Sequence, residues 1–147
     1  MSARDLLPDE RHFFEVLLSR PFEGRDELRE QALHVLVSGP SCICGCPSVA
    51  LEVDHTSATA TVADRVPDGV GLDADGNRVG VTLLMDREGY LKEIDVSPIG
   101  ENIQGRPTET YGRPTVESFE LADWEPHDDG LGGTLKNVPG RHREPGN

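Results

Sequence analysis

Large apolar side chains recur at helical spacing near the start of the chain. Phe13 and Leu17 are four residues apart, as are Phe14 and Leu18, so all four lie on one side of a helix. A proline and two acidic residues shortly before them suit a first helical turn. The residue before Pro21 is disfavoured in a helix. The pattern therefore predicts a first helix that packs on a core and ends before Pro21.

A second, more polar helix is predicted over residues 25–33, where charges of both signs alternate. Leu28, Ala32 and Leu33 supply its apolar side. The apolar run directly after it, residues 34–37, predicts a strand that ends where Ser-Gly-Pro interrupts the pattern.

Alternation of apolar and polar residues predicts the main strands. Residues 80–85 and 90–96 form the clearest pair, and the four residues between them end in glycine, as hairpin turns often do. Val81 and Leu83 then share a face with Ile94 across the turn. Weaker runs predict two further strands, at residues 49–53 and 59–62.

These elements predict an α+β fold, in which the two N-terminal helices pack on one face of a four- to five-stranded antiparallel sheet. The predicted domain covers residues 1–97. The composition then changes to a Gly/Pro-rich C-terminal tail, because fourteen of the last fifty residues are glycine or proline. We expect residues 98–129 to be an extended segment that packs on the domain, and residues 130–147 to be disordered. The side chains expected to hold the segment are Phe119, Leu121 and Trp124.

All three cysteines lie within five residues, at Cys42, Cys44 and Cys46. Because side chains alternate along an extended chain, Cys42 and Cys44 share a face if the chain is extended there. Gly45 and Pro47 favour a turn beside them. We therefore expect a hairpin with the three thiols at or beside its bend.

Three thiols at this spacing leave three interpretations open. They can pack as small apolar side chains beside the bend. They can hold zinc, with Cys42, Cys44, Cys46 and an imidazole, most directly that of His55 or otherwise His34, as a closed tetrahedral set. A thiol-redox function would instead require a cation or a helix N-terminus beside one cysteine. Packing is favoured, because zinc ligands usually come as two separate pairs spaced by two to four residues.

The run from Cys44 to Val49, followed by Leu-Glu-Val-Asp, resembles the centre of a family of small uncharacterised proteins from high-GC bacteria. In that family a helix with a Phe-Glu-Gly-Arg-Asp-Glu-Leu-Arg-like start precedes the Cys-Gly-Cys-Pro-Ser motif, and a Gly-Val-x-Leu-Leu strand follows it. Residues 22–29 and 80–84 match those two outer motifs. The resemblance covers residues 6–97 and implies a shared fold, but it implies no activity.

The chain of 147 residues carries a formal charge of −13 at neutral pH. Binding to nucleic acid by phosphate neutralisation needs a basic patch, so the composition excludes that class of protein. An acidic surface attracts basic proteins, although high net charge also serves solubility alone. No apolar run is long enough to cross a membrane, and the first ten residues do not resemble a signal peptide. The odd cysteine count favours a reducing cytoplasm.

No catalytic template accompanies these features. The sequence contains no glycine-rich phosphate loop, no Gly-x-Ser-x-Gly motif and no His-Glu-x-x-His helix. We therefore predict a small acidic cytoplasmic protein that binds a basic protein partner, for instance to neutralise it, without catalysis, cofactor or membrane contact. The alternative is a zinc-binding or thiol-redox protein that uses Cys42, Cys44 and Cys46.

Overall fold

The computed structural model describes residues 3–41, 45–61, 66–106 and 110–140. Within these residues the chain forms two helices, α1 (Pro8–Leu17) and α2 (Arg25–Ala32), where the apolar spacing predicts them. The strands of the described residues are β1 (Leu36–Pro40), β2 (Val49–Glu52), β3 (Gly69–Leu72), β4 (Arg78–Met85), β5 (Leu91–Pro98), β6 (Glu120–Leu121), β7 (Trp124–Pro126) and β8 (Gly133–Leu135). No helix in this part of the chain has the length and apolar character that a membrane span requires.

Six of the strands form one antiparallel sheet in the order β1-β2-β5-β4-β3-β6. Strands β7 and β8 pair in a separate two-stranded sheet. The predicted α+β class and antiparallel sheet are confirmed, but the predicted count of four or five strands is wrong. Neither β3 nor β6 was expected, and residues 59–61, the described part of an expected strand, form none.

The core lies on one face of the sheet. Val81 pairs with Val96 and Leu83 pairs with Ile94 across the β4–β5 hairpin, and all four side chains are buried. Their side chains share a face because residues two apart on a strand point the same way. The helices add these buried side chains to the same cluster: Phe13, Phe14, Leu17, Leu18 and Leu28.

The two helices do not cover this face alone, so the predicted packing is incomplete. Phe119 of the C-terminal segment is only 6% exposed and belongs to the same core. Its ring centroid lies 4.8 Å from that of Phe13 in α1. The C-terminal segment therefore contributes to the core of the domain that was predicted to end at residue 97.

Strand β3 escapes sequence prediction because it is glycine-rich and directly follows a Pro-Asp turn signal. Its two glycines are buried. A Cβ atom added at Gly69 would overlap the ring of Phe119, and one at Gly71 would lie 2.8 Å from Cβ of Pro114. Glycine is therefore needed in β3 so that the C-terminal segment can cross it closely.

The predicted hairpin around the cysteines is present as the antiparallel β1–β2 pair, with residues 41–48 as its connection. Strand β1 begins two residues later than predicted. Gly45 has φ +84°, the left-handed conformation that the predicted turn requires. Cys42 and Cys44 lie outside the described residues, so their predicted extended conformation stays a prediction.

The C-terminal tail also differs from its prediction. Residues 133–135, predicted to be disordered, form β8 and pair with β7. The prediction relied on the lack of apolar residues, whereas backbone hydrogen bonds between strands do not depend on apolar side chains. Residues 141–147 lie outside the described residues. Trp124, predicted to hold the tail by burial, is 41% exposed, and its indole N–H donates to Asp68 Oδ1 at 2.9 Å. Of the other two side chains predicted to hold the segment, Phe119 is buried and Leu121 is partly buried against the core.

Candidate functional site

A groove of about 660 Å³ lies between α1 and the C-terminal segment. Helix α1 buries Phe13, Phe14 and Leu17 in the core, whereas Glu15 is exposed and His12 and Val16 are half-buried. His12 and Glu15 line one wall of the groove, and Val16, which packs partly against the core, lines its base. Ser19 and Arg20 continue this wall beyond the end of the helix.

The opposite wall is formed by the C-terminal segment, over residues 120–123, together with Asn137. Phe119 lines the groove between the two walls, although almost all of its surface is buried. The ring of His12 meets it edge-on, with the ring centroids 6.4 Å apart. The groove therefore has an apolar base between two more polar walls.

Asn137 binds the outer edge of β6 as a neighbouring strand would. Its side-chain amide donates to the carbonyl of Leu121 at 2.8 Å and accepts from the N–H of Asp123 at 2.7 Å. The same amide donates to Glu120 Oε1 at 2.9 Å. The N–H of Lys136 donates to the carbonyl of Asp123 at 2.8 Å. This edge of the sheet is thus occupied by the chain itself.

The groove is acidic. Its lining includes the carboxylates of Glu15, Glu120 and Asp123, which are all on exposed residues, and the single guanidinium of Arg20. Lys136 lies outside the lining, with its Nζ atom 3.8 Å from Asp123 Oδ2, a distance at which exposed charges interact weakly. A cationic side chain entering the groove would therefore meet more negative than positive charge.

A buried ion cluster fixes the position of α1 against the C-terminal segment. Glu10 is 1% exposed and receives hydrogen bonds from the Arg4 guanidinium at 2.8 and 3.0 Å. The Nη2 atom of Arg113 lies 2.7 Å from Glu10 Oε2, an oxygen that Arg4 also contacts. Burial alone would raise the pKa of Glu10, but the hydrogen bonds from Arg4 and from the N–H of Leu7 and the charge of Arg113 together lower it. The charged form therefore holds three parts of the chain together.

Asp73 provides a second connection to the C-terminal segment, at the β3–β4 turn. Its carboxylate accepts from the N–H groups of Asn77 and Gly112, each at 2.8 Å. Burial would raise the pKa of Asp73, but these and further hydrogen bonds outweigh it and lower the pKa. Two buried carboxylates thus connect the C-terminal segment to the rest of the chain, one at α1 and one at the β3–β4 turn.

The predicted zinc ligands Cys46 and His55 are not brought together. Cys46 precedes the first residue of β2 and His55 follows its last. A four-residue strand spans about 10 Å, whereas zinc holds its ligand atoms at about 2.0–2.3 Å. Cys42 and Cys44 lie outside the described residues, so their part in such a site stays a prediction.

His55 packs on an aromatic ring. Its imidazole stacks on Tyr90 at 4.2 Å between centroids, and the Tyr90 hydroxyl donates to the His55 carbonyl at 2.8 Å. Asp86 and Glu88 lie beside it, with one ligand atom of each of the three residues within 4.8 Å of the others. Asp86 Oδ1 accepts from three backbone N–H groups of its own turn, and these bonds, led by that of Tyr90, lower the pKa of Asp86. Stacking and turn formation thus account for this arrangement.

A second acidic patch lies near Cys46, on the face of β5 opposite the core. Burial, followed by the charge and hydrogen bond of Asp95, raises the pKa of Glu93. Burial, then the charges of Cys46 and Asp95, also raises the pKa of Tyr111. Ser48 connects this patch to the sheet, because its hydroxyl accepts from the N–H of Val96 at 2.8 Å. The groove between α1 and the C-terminal segment does not include this patch among its lining residues.

Comparisons of the chain with protein-family models, with curated proteins and with solved structures find no match. The resemblance to small proteins of high-GC bacteria therefore stays a prediction. The function has to be inferred from the chemistry of the groove.

Sequence reasoning missed the groove because its two walls are about a hundred residues apart along the chain. One signal was present. His12, Glu15 and Val16 of α1 are related by spacings of three and four, and Ser19 continues the spacing just beyond the helix, so a single mixed stripe runs along this side. No pattern indicated that Glu120 or Asn137 would face that stripe.

Proposed function

We propose that the protein is a small acidic cytoplasmic module that binds a basic protein partner and does not catalyse a reaction. The observation that carries this proposal is the groove, in which three carboxylates and one guanidinium surround an apolar base. The cytoplasmic location rests on the three cysteines, an odd number that suits a reducing compartment.

Charge and shape support the same partner. Lysine and arginine side chains can place their alkyl stems on the base at Phe119 and Val16 and their charges on the carboxylates of the walls. The net charge of −13 would speed the approach of a basic partner and make its binding sensitive to salt. Binding is then strongest where the apolar base and the acidic walls act together.

The groove offers poor geometry for catalysis. Among its described lining residues, Ser19 supplies the hydroxyl and His12 the imidazole that a nucleophile–base pair would need. The hydroxyl of Ser19 donates to the carbonyl of Val16 at 2.6 Å, and the ring of His12 packs against that of Phe119. The arrangement lacks the nucleophile–base hydrogen bond that covalent catalysis uses.

The test is recovery of partners from cells of the native host, at low and at high salt, with the tagged protein. We expect at least one basic protein to be retained at low salt and released at high salt. Replacing Glu15→Gln together with Asp123→Asn should reduce its recovery. Glu27→Gln together with Glu30→Gln, which removes the same charge from α2, should not.

Recovery of no salt-sensitive basic protein would argue against the proposed function. Equal recovery by the groove variant and the α2 variant would show that net charge, and not the groove, attracts the partner.

Zinc binding by the thiols of Cys42, Cys44 and Cys46 is the second function we propose. The left-handed turn at Gly45 favours it, because the turn can direct Cys46 back toward the two preceding cysteines. His55 is not included, since it lies beyond the far end of β2. Elemental analysis of the purified protein should then find about one zinc per chain, and a Cys46→Ser variant should lose it. Zinc below a tenth of an equivalent would argue for packing alone.

A further inference from the structure

We infer that the groove takes an amphipathic basic helix of the partner and not an extended strand. This inference rests on the proposed function, because it specifies the form of the partner segment that binds there. Three features support it: the hydrogen bonds already made by the edges of the sheet, the charges of the two groove walls, and the hydrogen bonds that the backbone of a bound segment needs.

The sheet edge beside the groove is closed to strand addition. A partner strand would have to bond with the outward-facing backbone groups of β6 and of the residues after it. The carbonyl of Leu121 and the N–H of Asp123 are instead bound by the side chain of Asn137, at 2.8 and 2.7 Å. The carbonyl of Asp123 is bound by the N–H of Lys136. An extended peptide would have to displace this stretch before it could pair.

The opposite edge of the sheet, at β1, is also partly covered. The N–H of Val37 donates to the carbonyl of Arg4 at 2.8 Å, and its carbonyl accepts from the N–H of Arg4 at 2.9 Å. Pro40, at the end of β1, has no N–H to offer. Strand addition is therefore disfavoured at both edges of the six-stranded sheet.

A partner segment in the groove must then satisfy its own backbone hydrogen bonds. A helix does so internally and presents only side chains. Its apolar residues, at spacings of three and four, would contact Val16 and Phe119 at the base.

The charges fit a helix with basic flanks. Glu15 lies on the α1 wall, whereas Glu120 and Asp123 lie on the opposite wall. A helix that lies between the walls would meet carboxylates on both sides of its apolar stripe. Lysine or arginine on both flanks of that stripe is the pattern that pairs with them, and the same charges keep the helix soluble before it binds.

Two synthetic peptides of identical composition test the inference with the full-length protein. Both contain leucine, lysine and alanine over about 16–20 residues, long enough for a helix to form on binding. One places leucine at spacings of three and four, and the other alternates leucine with polar residues, as a strand would. Fluorescence anisotropy measures the affinity and circular dichroism the gain of helix. We expect the helical pattern to bind at least about tenfold more tightly.

Three variants connect that difference to the groove. Glu15→Gln should weaken binding of the helical peptide, whereas the matched change Glu30→Gln on α2 should not. Asn137→Ala should leave the helical peptide bound and increase the affinity of the alternating peptide, because it exposes the backbone groups of Leu121 and Asp123. Circular dichroism of each variant checks that it is folded.

Two sets of results would contradict the inference, and they can be told apart. Equal affinity of the two peptides, or an unchanged affinity in Glu15→Gln, would overturn the helical mode and leave the proposed function intact. Binding of neither peptide at low salt, together with recovery of no basic partner from cells, would overturn both.

Discussion

Two neighbouring parts of the C-terminal region, both of which contain glycine and proline, pack very differently. The inner segment, residues 110–121, buries Phe119 in the core and sends Arg113 to the ion cluster at the start of α1. The outer segment, residues 122–140, forms the small β7–β8 sheet, and most of its residues are exposed. Glycine and proline make up two of the twelve inner residues and six of the nineteen outer residues, so the outer segment is also the richer in turn-forming residues.

The difference depends on what each segment meets elsewhere in the chain. The inner segment crosses β3 at two glycines, which leave room for the Phe119 ring, and reaches a carboxylate that already binds Arg4. In the outer segment, Trp124 donates a hydrogen bond to Asp68, and its ring stays 41% exposed although it is the larger side chain. A complementary surface, and not the size of the apolar residue, decides which segment is fixed.

The largest effect is expected from Phe119→Ala, which removes the buried side chain of the inner segment. Deleting a buried phenylalanine costs about 3–5 kcal/mol, because transfer energy is lost and a cavity remains. Urea denaturation followed by circular dichroism measures the change. Trp124→Ala is the matched control in the outer segment, and it should cost less than Phe119→Ala because its ring is only partly buried. Equal costs would contradict the contrast between the segments.

A somewhat smaller effect is expected from Glu10→Gln, which weakens the connection between the inner segment and α1. Hydrogen bonds to a charged group contribute about 1.5–3 kcal/mol. Because the folded-state pKa of Glu10 lies below its ordinary value of 4.5, this contribution is fully present above pH 4.5 and is lost as pH falls through the folded-state value. The difference in unfolding free energy between wild type and variant should therefore shrink in acid.

Urea denaturation at pH 7 and at pH 3 measures this dependence. Glu15→Gln, an exposed change on the same helix, should show no comparable loss at either pH. A difference between wild type and Glu10→Gln that stays constant with pH would show that the carboxylate charge does not stabilise the inner segment.

Gly69→Ala tests whether β3 accommodates the inner segment through its lack of a side chain. The added Cβ meets the Phe119 ring, so we expect a loss of about 1–3 kcal/mol from overpacking. In a Phe119→Ala background the same change should cost less, because only the 3.1 Å approach to the carbonyl of Glu120 remains. A double-mutant cycle measures this coupling.

Gly80→Ala is the control, since its Cβ would meet Ile99 at an ordinary 3.4 Å. If Gly69→Ala cost the same with and without Phe119, glycine at this position would not be explained by the room that the Phe119 ring needs.

The smallest effect concerns the outer segment. The chain has one tryptophan, so fluorescence reports on Trp124 alone. Because 41% of the Trp124 surface is exposed, we expect its emission maximum in the native protein to lie between those of a buried and a fully hydrated tryptophan. Acrylamide should quench this emission readily. Blue-shifted emission that resists quenching would show that the outer segment is as well packed as the inner one.

Periodicity along the chain determined much of the fold. The four-residue spacing of Phe13 and Leu17 fixes the buried side of α1, and alternation fixes the faces of β4 and β5. Gly89, with φ +99°, ends the turn between those strands as its position indicates. These features were predictable because each depends on residues close together in sequence. The charge of −13, on which the proposal of a basic partner depends, is likewise a property of composition.

The tertiary structure decided the rest, because it brings together residues whose local sequence carries no signal of their partner. Gly69 looks like part of a turn until Phe119, fifty positions later, lies over it. Cys46 and His55 look like neighbours, yet β2 separates them. Asn137 has no predicted role, but it occupies the edge of β6 and lines the groove. Sequence patterns report which side of an element is buried, whereas a binding groove depends on which elements then meet.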